Sequence, residues 1–217
     1  MKKTKILMMA ALMAACSSMP AIRPSGDAGP KTACPRVHVL QNARFIHAIE
    51  FRAAGRTQTV FMGVTLVHPR QKAVTCGIVS AEGLSLFEAT RHRGDIQVSR
   101  ALPPFDAPDF ARNLMEDVEL IFLPPSGDPA GEGFLPDGRK ICRWKLAQGG
   151  WLDISQDAEG RNQIDRYTED GDLTRSVLFA AGGDPYSALE LRASGLMSYV
   201  LTMTLIEAET VVDQTTP

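Results

Sequence analysis

Between Thr57 and Val67 two series of residues alternate, Val60, Met62, Val64 and Leu66 against Phe61, Gly63, Thr65 and Val67. A period of two marks a β-strand, because successive side chains point to opposite faces of a sheet. His68-Pro69-Arg70-Gln71 punctuates it, and two more strands are predicted over Lys72 to Val79 and Leu84 to Ala89. The intervening Ser80-Ala81-Glu82-Gly83 ends on a glycine able to take the positive φ of a tight turn, so these strands read as a meander. A fourth strand follows Gly94-Asp95, with Ile96 and Val98 on one side.

The period then changes. Phe110, Leu114, Val118 and Ile121 recur three and four residues apart, widened by Met115 and Phe122, which predicts an amphipathic helix from Asp109 to Phe122. Asp106-Ala107-Pro108-Asp109 can cap its start and Pro124-Pro125 ends it. Ser126 to Gly138 reads as a loop. From Lys140 the β period returns, with Cys142, Trp144 and Leu146 alternating against Ile141, Arg143 and Lys145. Turn signals at Glu159-Gly160, Asp170-Gly171, Gly182-Gly183-Asp184 and Ser194-Gly195 predict consecutive antiparallel hairpins. The last strand places Met197, Tyr199, Leu201, Met203 and Leu205 on one face. The expected fold is a single α+β domain, mainly β: a curved antiparallel sheet or unclosed barrel covered by helices.

A meander curved around one helix offers more inward apolar surface than that helix fills. The strand faces leave two outcomes open, a fully packed core or an apolar cavity on the concave side, lined by Met62, Val64, Leu66, Leu84, Leu86, Leu114, Trp144, Leu201 and Met203, with the helix as its cover. Methionines suit such a site because their flexible, polarisable chains adapt to varied ligands.

The N-terminus has a different character. Met1-Lys2-Lys3-Thr4-Lys5 precedes the apolar run Ile6 to Ala15, too short for the ~20 residues that cross a bilayer. Leu12-Met13-Ala14-Ala15-Cys16 resembles the lipobox of bacterial lipoproteins, although Met13 stands where Leu is commoner. That resemblance implies cleavage before Cys16 and its lipidation by palmitate-type chains, and Ser17 after the cysteine implies the outer membrane. The expected organisation is signal peptide 1–15, a lipidated flexible tether 16–33 rich in Ser, Pro and Gly, a β domain 34–210 and a disordered tail 211–217.

Loss of Lys2, Lys3 and Lys5 leaves 20 basic against 25 acidic side chains, a net charge of −5 that disfavours nucleic acid as a partner. Cys34, Cys76 and Cys142 remain after lipidation. Three is odd, so at least one stays free or pairs outside the chain. His38, His47, His68 and His92 have no metal-ligand spacing, so no metal or cofactor is expected. Asp153, Ser155 and Asp157 alternate as in a calcium loop, but Ala158 occupies the position of the sharp-turn glycine. Ser80 and Ser85 lack the flanking glycines of a nucleophile elbow.

The stretch Cys76-Gly77-Ile78-Val79-Ser80-Ala81-Glu82-Gly83-Leu84-Ser85-Leu86-Phe87-Glu88, with the order of elements, resembles the LolB-like lipoproteins. The helix Phe110 to Phe122 with Leu123-Pro124 is similar to an uncharacterised branch (domain of unknown function 3261) encoded beside aryl polyene gene clusters. The resemblance implies a non-enzymatic lipoprotein on the periplasmic face of the outer membrane, with an acyl chain, aryl polyene lipid or lipoprotein as cargo and a periplasmic carrier as a possible partner. LolB inserts lipoproteins through a protruding apolar residue before the turn glycine; that position is Glu82 here, which puts direct insertion in doubt. A structural lipoprotein acting by protein contacts and a periplasmic hydrolase remain the alternatives.

Overall fold

The computed structural model describes residues 18–24, 33–53, 56–195 and 198–211. Cys16, the signal segment and Met197 lie outside them. Thirteen strands form one sheet among the described residues. They are β1 Arg23–Pro24, β2 Ala43–Ala53, β3 Arg56–His68, β4 Ala73–Val79, β5 Ser85–His92, β6 Asp95–Ala101 and β7 Gly131–Phe134, followed by β8 Lys140–Lys145, β9 Trp151–Gln156, β10 Asn162–Tyr167, β11 Leu173–Phe179, β12 Ala188–Ala193 and β13 Tyr199–Thr210. The order is β1-β7-β8-β9-β10-β11-β12-β13-β2-β3-β4-β5-β6, antiparallel throughout. β1 and β6 remain unpaired edges, so the sheet curves without closing.

One helix, α1 Phe110–Phe122, fills the concave side. Thirteen residues are marginal as an isolated helix, so packing decides. Met115, Ile121 and Phe122 are fully buried, and each such side chain contributes about 1.5–3 kcal/mol. Phe122 stacks on Tyr186 at 5.2 Å and tilts against Phe45, joining the helix to the strands on its far side. Asp109 caps the helix through backbone geometry alone, in the left-handed region at φ 65°, while its carboxylate pairs with Arg112. Leu123 turns extended before Pro124-Pro125, as the prolines require.

Three expectations need correction. Residues 43–53 form a full strand, and 131–134, read as loop, form β7. Part of the expected tether, residues 18–24, lies on the sheet instead of hanging free: Met19 N–H donates to the Gly171 carbonyl at 2.9 Å, and Arg23-Pro24 pairs with Gly133-Phe134. The Arg143 guanidinium holds this strap, donating to the Pro20 carbonyl at 2.9 Å while gripping Asp153 through two 2.6 Å bonds. Arg143 and Asp153 alternate with the core residues Cys142, Ile154 and Leu152, so the strap covers the convex face of β8 and β9. The third correction concerns strand faces. On β3 Gly63, Thr65 and Val67 are buried, while Met62, Val64 and Leu66 are only half-buried on the opposite side.

Cys34 and Cys142 form a disulfide across 108 residues of sequence, leaving Cys76 as a buried free thiol. No helix among the described residues is long and apolar enough to cross a membrane.

Candidate functional site

Beneath α1 lies a cavity of about 810 Å³. That volume falls within the ~300–1,000 Å³ typical of small-molecule sites. Its existence follows from side-chain size. The inward series on β3 presents Phe61, Gly63 and Thr65, and neighbouring strands add Ala53 and Cys76, so small residues leave space that Leu or Ile would fill. The Ile49 side chain packs directly over Gly63, in the place that a Cβ there would take.

Exposure gives the cavity a direction. Thr59, Pro104, Ala107, Pro108 and Ser198 are exposed and mark the mouth, whereas Cys76, Ile78, Ile121, Phe122 and Met203 are buried and mark the floor. Phe61, Phe105 and Phe110 meet edge to face in succession along one wall, at centroid distances of 6.0 and 5.2 Å, and Phe110 packs in turn on the core residue Phe87 at 5.3 Å. Helix residues from Phe110 to Phe122 line the cavity, so at 1.5 Å per residue it runs about 18 Å deep. That shape suits an extended apolar chain.

One wall is polar. Asp117, 2% exposed, accepts from Arg175 Nε at 2.7 Å and from the Tyr199 hydroxyl, and both Asp117 and Tyr199 line the cavity. Burial pushes the Asp117 carboxyl up, and the Arg175 charge opposes that rise. Burial and the adjacent Asp117 charge raise Tyr199 as well, so its hydroxyl stays a donor at neutral pH. Asn113 lines the wall one helical turn toward the mouth. The wall therefore carries a compensated ion pair and a neutral amide, and among the described lining residues there is no lysine or arginine to hold a carboxylate.

Of the residues expected to line the cavity, Leu114, Leu201 and Met203 do so. Met62, Val64 and Leu66 lie on the other face of β3, Leu84 is 53% exposed in the β4–β5 turn, and Leu86 is half-buried at the edge of the core. Trp144 is buried in the β8 arm, its indole N–H donating to the Gly127 carbonyl at 3.2 Å. Phe51, Phe61, Phe105, Asp117 and Tyr199 also line the cavity beyond the expected set; for Tyr199 the signal is its place on the same strand face as Leu201 and Met203.

The other candidate chemistry resolves into structure. Asp153 is committed to Arg143, and Asp157 to Arg161 at 2.7 Å. Cys34, Glu132 and Cys142 cluster, but both sulfurs are in the disulfide. Burial lifts the Cys76 thiol to about 12, so it is not a nucleophile at neutral pH. Ser80 Oγ accepts the Leu84 N–H at 3.3 Å within the turn, and His38 and His47 engage the Leu120 and Tyr186 carbonyls. A shallower polar cleft at the other end of α1 is lined by Arg70, Lys72, Arg91 and Arg93 with Glu119, which pairs with Arg91 at 3.1 Å.

No protein-family model matches the sequence, and no curated protein matches it at a significant level. In three dimensions the chain is similar to a LolA superfamily protein of Nitrosomonas europaea, with a TM-score of 0.54 and 10% identity over 81% of this chain and 89% of that one. It also matches an outer membrane lipoprotein-sorting protein domain from Vibrio parahaemolyticus, with a TM-score of 0.44 and 9% identity over 82% of this chain and 87% of that one. The fold, a curved unclosed antiparallel sheet around one helix, is LolA/LolB-like.

Proposed function

We propose that this protein is a non-enzymatic envelope lipoprotein, anchored through Cys16 in the outer membrane, that binds or accepts a lipid-like cargo. The cavity carries this reading: it is deep, apolar and open at one end. An apolar chain entering it leaves water at no cost in unsatisfied polar groups. The acyl, polyene or lipoprotein class of cargo shares that chain. The similarity of the fold to a LolA superfamily protein supports the same reading.

The test is titration of the soluble domain with a conjugated-tetraene fatty-acyl methyl ester, whose fluorescence rises on leaving water. Saturable binding lost in Leu201→Glu is the expected result. Absence of any saturable binding to the folded domain sinks the carrier reading, and release of methanol during the titration establishes the hydrolase instead.

A second reading, contact with a protein partner, is favoured by Arg70, Lys72, Arg91 and Arg93 gathered on a chain of net negative charge. An acidic periplasmic carrier is the partner such a cleft fits. Salt-sensitive binding of that carrier, reduced in Arg93→Glu, distinguishes it from the cavity function.

A further inference from the structure

We infer that the anchored protein turns its cavity mouth toward the membrane that holds it, with lipid headgroups contacting the rim of the sheet that carries both the mouth and the β10–β11 turn. The inference rests on the reading of Cys16 as the lipidated residue.

The observation is where the described chain begins. Ser18 bridges Asp172, and Met19 donates to Gly171, so the chain enters the fold at the tip of the β10–β11 hairpin. Cys16 is two residues earlier, and a residue spans at most about 3.6 Å, which keeps its backbone within about 7 Å of Ser18. Acyl chains on Cys16 thus bring that tip to the bilayer.

The same tip adjoins the mouth. Asp172 lies three residues before Arg175, which holds Asp117 in the cavity wall and lies 5.7 Å from the Tyr199 ring. The strand register makes one rim of these elements: Arg175 faces Ala193, Ala193 faces Tyr199, and Tyr199 faces Ala53. The opposite rim, where β11 turns into β12, lies the full seven residues of β11 away. At about 3.3 Å per residue that is roughly 23 Å farther from the anchor.

The strap makes the placement firm. Arg143 holds Pro20 and β7 pairs with Arg23-Pro24, so the chain that follows the anchor is fixed to the sheet from its first described residues. Glu169, Asp170 and Asp172 at the tip are exposed, and carboxylates do not enter hydrocarbon, so the contact is with headgroups. Cargo leaving the mouth then meets the leaflet without exposing its chain to bulk water.

The experiment uses the mature lipoprotein in phosphatidylethanolamine–phosphatidylcholine vesicles that carry a headgroup nitroxide quencher. Ser198→Cys reports the mouth and Ala181→Cys the opposite rim, each labelled with a fluorophore; the buried Cys76 does not compete. Strong quenching at Ser198→Cys with little at Ala181→Cys is expected. Equal quenching, or the reverse order, in protein that has partitioned into the vesicles overturns the orientation alone. Failure to partition overturns the anchoring reading, and the orientation with it. Gly133→Ala provides the second arm, because its Cβ would strike the Arg23 carbonyl and release the strap without touching the cavity. The difference between the two labels is expected to collapse there, and a full difference retained in a folded Gly133→Ala protein overturns the strap argument.

Discussion

Asp117→Asn separates charge from shape in the cavity wall. Asn113 and Asp117 stand one helical turn apart, so a carboxylate held against Asn113 lies roughly 7 Å from the Asp117 carboxylate. At an effective dielectric of ~20, two unit charges at that distance interact by about 2.4 kcal/mol, between roughly tenfold and a hundredfold in affinity. In the native protein Arg175 offsets Asp117; the substitution leaves Arg175 without its direct carboxylate partner beside an apolar space. Affinity for the tetraene fatty acid is therefore expected to rise relative to its methyl ester by roughly tenfold or more. Stability moves the other way. Removing one partner of a buried pair costs about 3–5 kcal/mol, and the retained amide oxygen keeps the cost near about 3. For a domain of this size that lowers Tm by roughly 6–12 °C. Titration of both ligands at pH 8 keeps the fatty acid ionised, and near-ultraviolet circular dichroism confirms the fold. An unchanged acid-to-ester ratio in a folded Asp117→Asn domain would refute the reading that Asp117 cancels the Arg175 charge in this wall.

Other expectations follow from the same geometry. Leu84→Glu places a charge on a residue already 53% exposed, so ester binding and stability should stay within about 0.5 kcal/mol of native, in contrast to Leu201→Glu; equal losses by fluorescence titration would contradict the assignment of the two residues. Burial lowers the His38 imidazole from 6.5 to about 4, despite the Leu120 carbonyl that accepts its ring N–H. Protons therefore bind the unfolded chain first: this residue's contribution is fully present above pH ~6.5, falls as the pH drops through that window, and levels off near 4 after a loss of at most about 3 kcal/mol. Urea titrations of native and His38→Gln domains between pH 7 and 4 should differ in slope, and parallel curves would exclude it. The Cys34–Cys142 disulfide closes 108 residues, so Cys34→Ala with Cys142→Ala should cost about 2–5 kcal/mol by denaturant titration. The same soluble domain should show one thiol when denatured without reductant, and none that reacts when native.

The helix, the turns and the fold class were legible because they depend on local pattern. Phe110 to Phe122 repeats at the helical period, and glycines at 83, 160, 171 and 195 hold positive φ where the turn signals placed them. The face of each strand was legible only where one series is distinctly apolar. On β13, Tyr199, Leu201 and Met203 face inward as read. On β3 both series are apolar, and the richer one, Met62, Val64 and Leu66, lies outside. Register is set by the partner strands, and the smaller series faces in because β3 bends around the helix with Ile49 packed against Gly63. Arg44, His47, Glu50 and Arg52 interrupt the pattern of β2, which hides it in the sequence; three of them bond to groups far along the chain, Arg44 to Glu207 and Glu209, His47 to the Tyr186 carbonyl and Arg52 to Thr202. Sequence composition identified residues 18–24 as a tether, yet their docking depends on Arg143 and Gly133, more than a hundred residues away. The disulfide partners and the Asp117–Arg175–Tyr199 wall are likewise contacts between remote segments. Local periodicity fixes which elements form, because it reports the neighbours of each residue along the chain. Only the folded sheet decides which face encloses the cavity and what lies beside its mouth, because those neighbours come from elsewhere in the sequence.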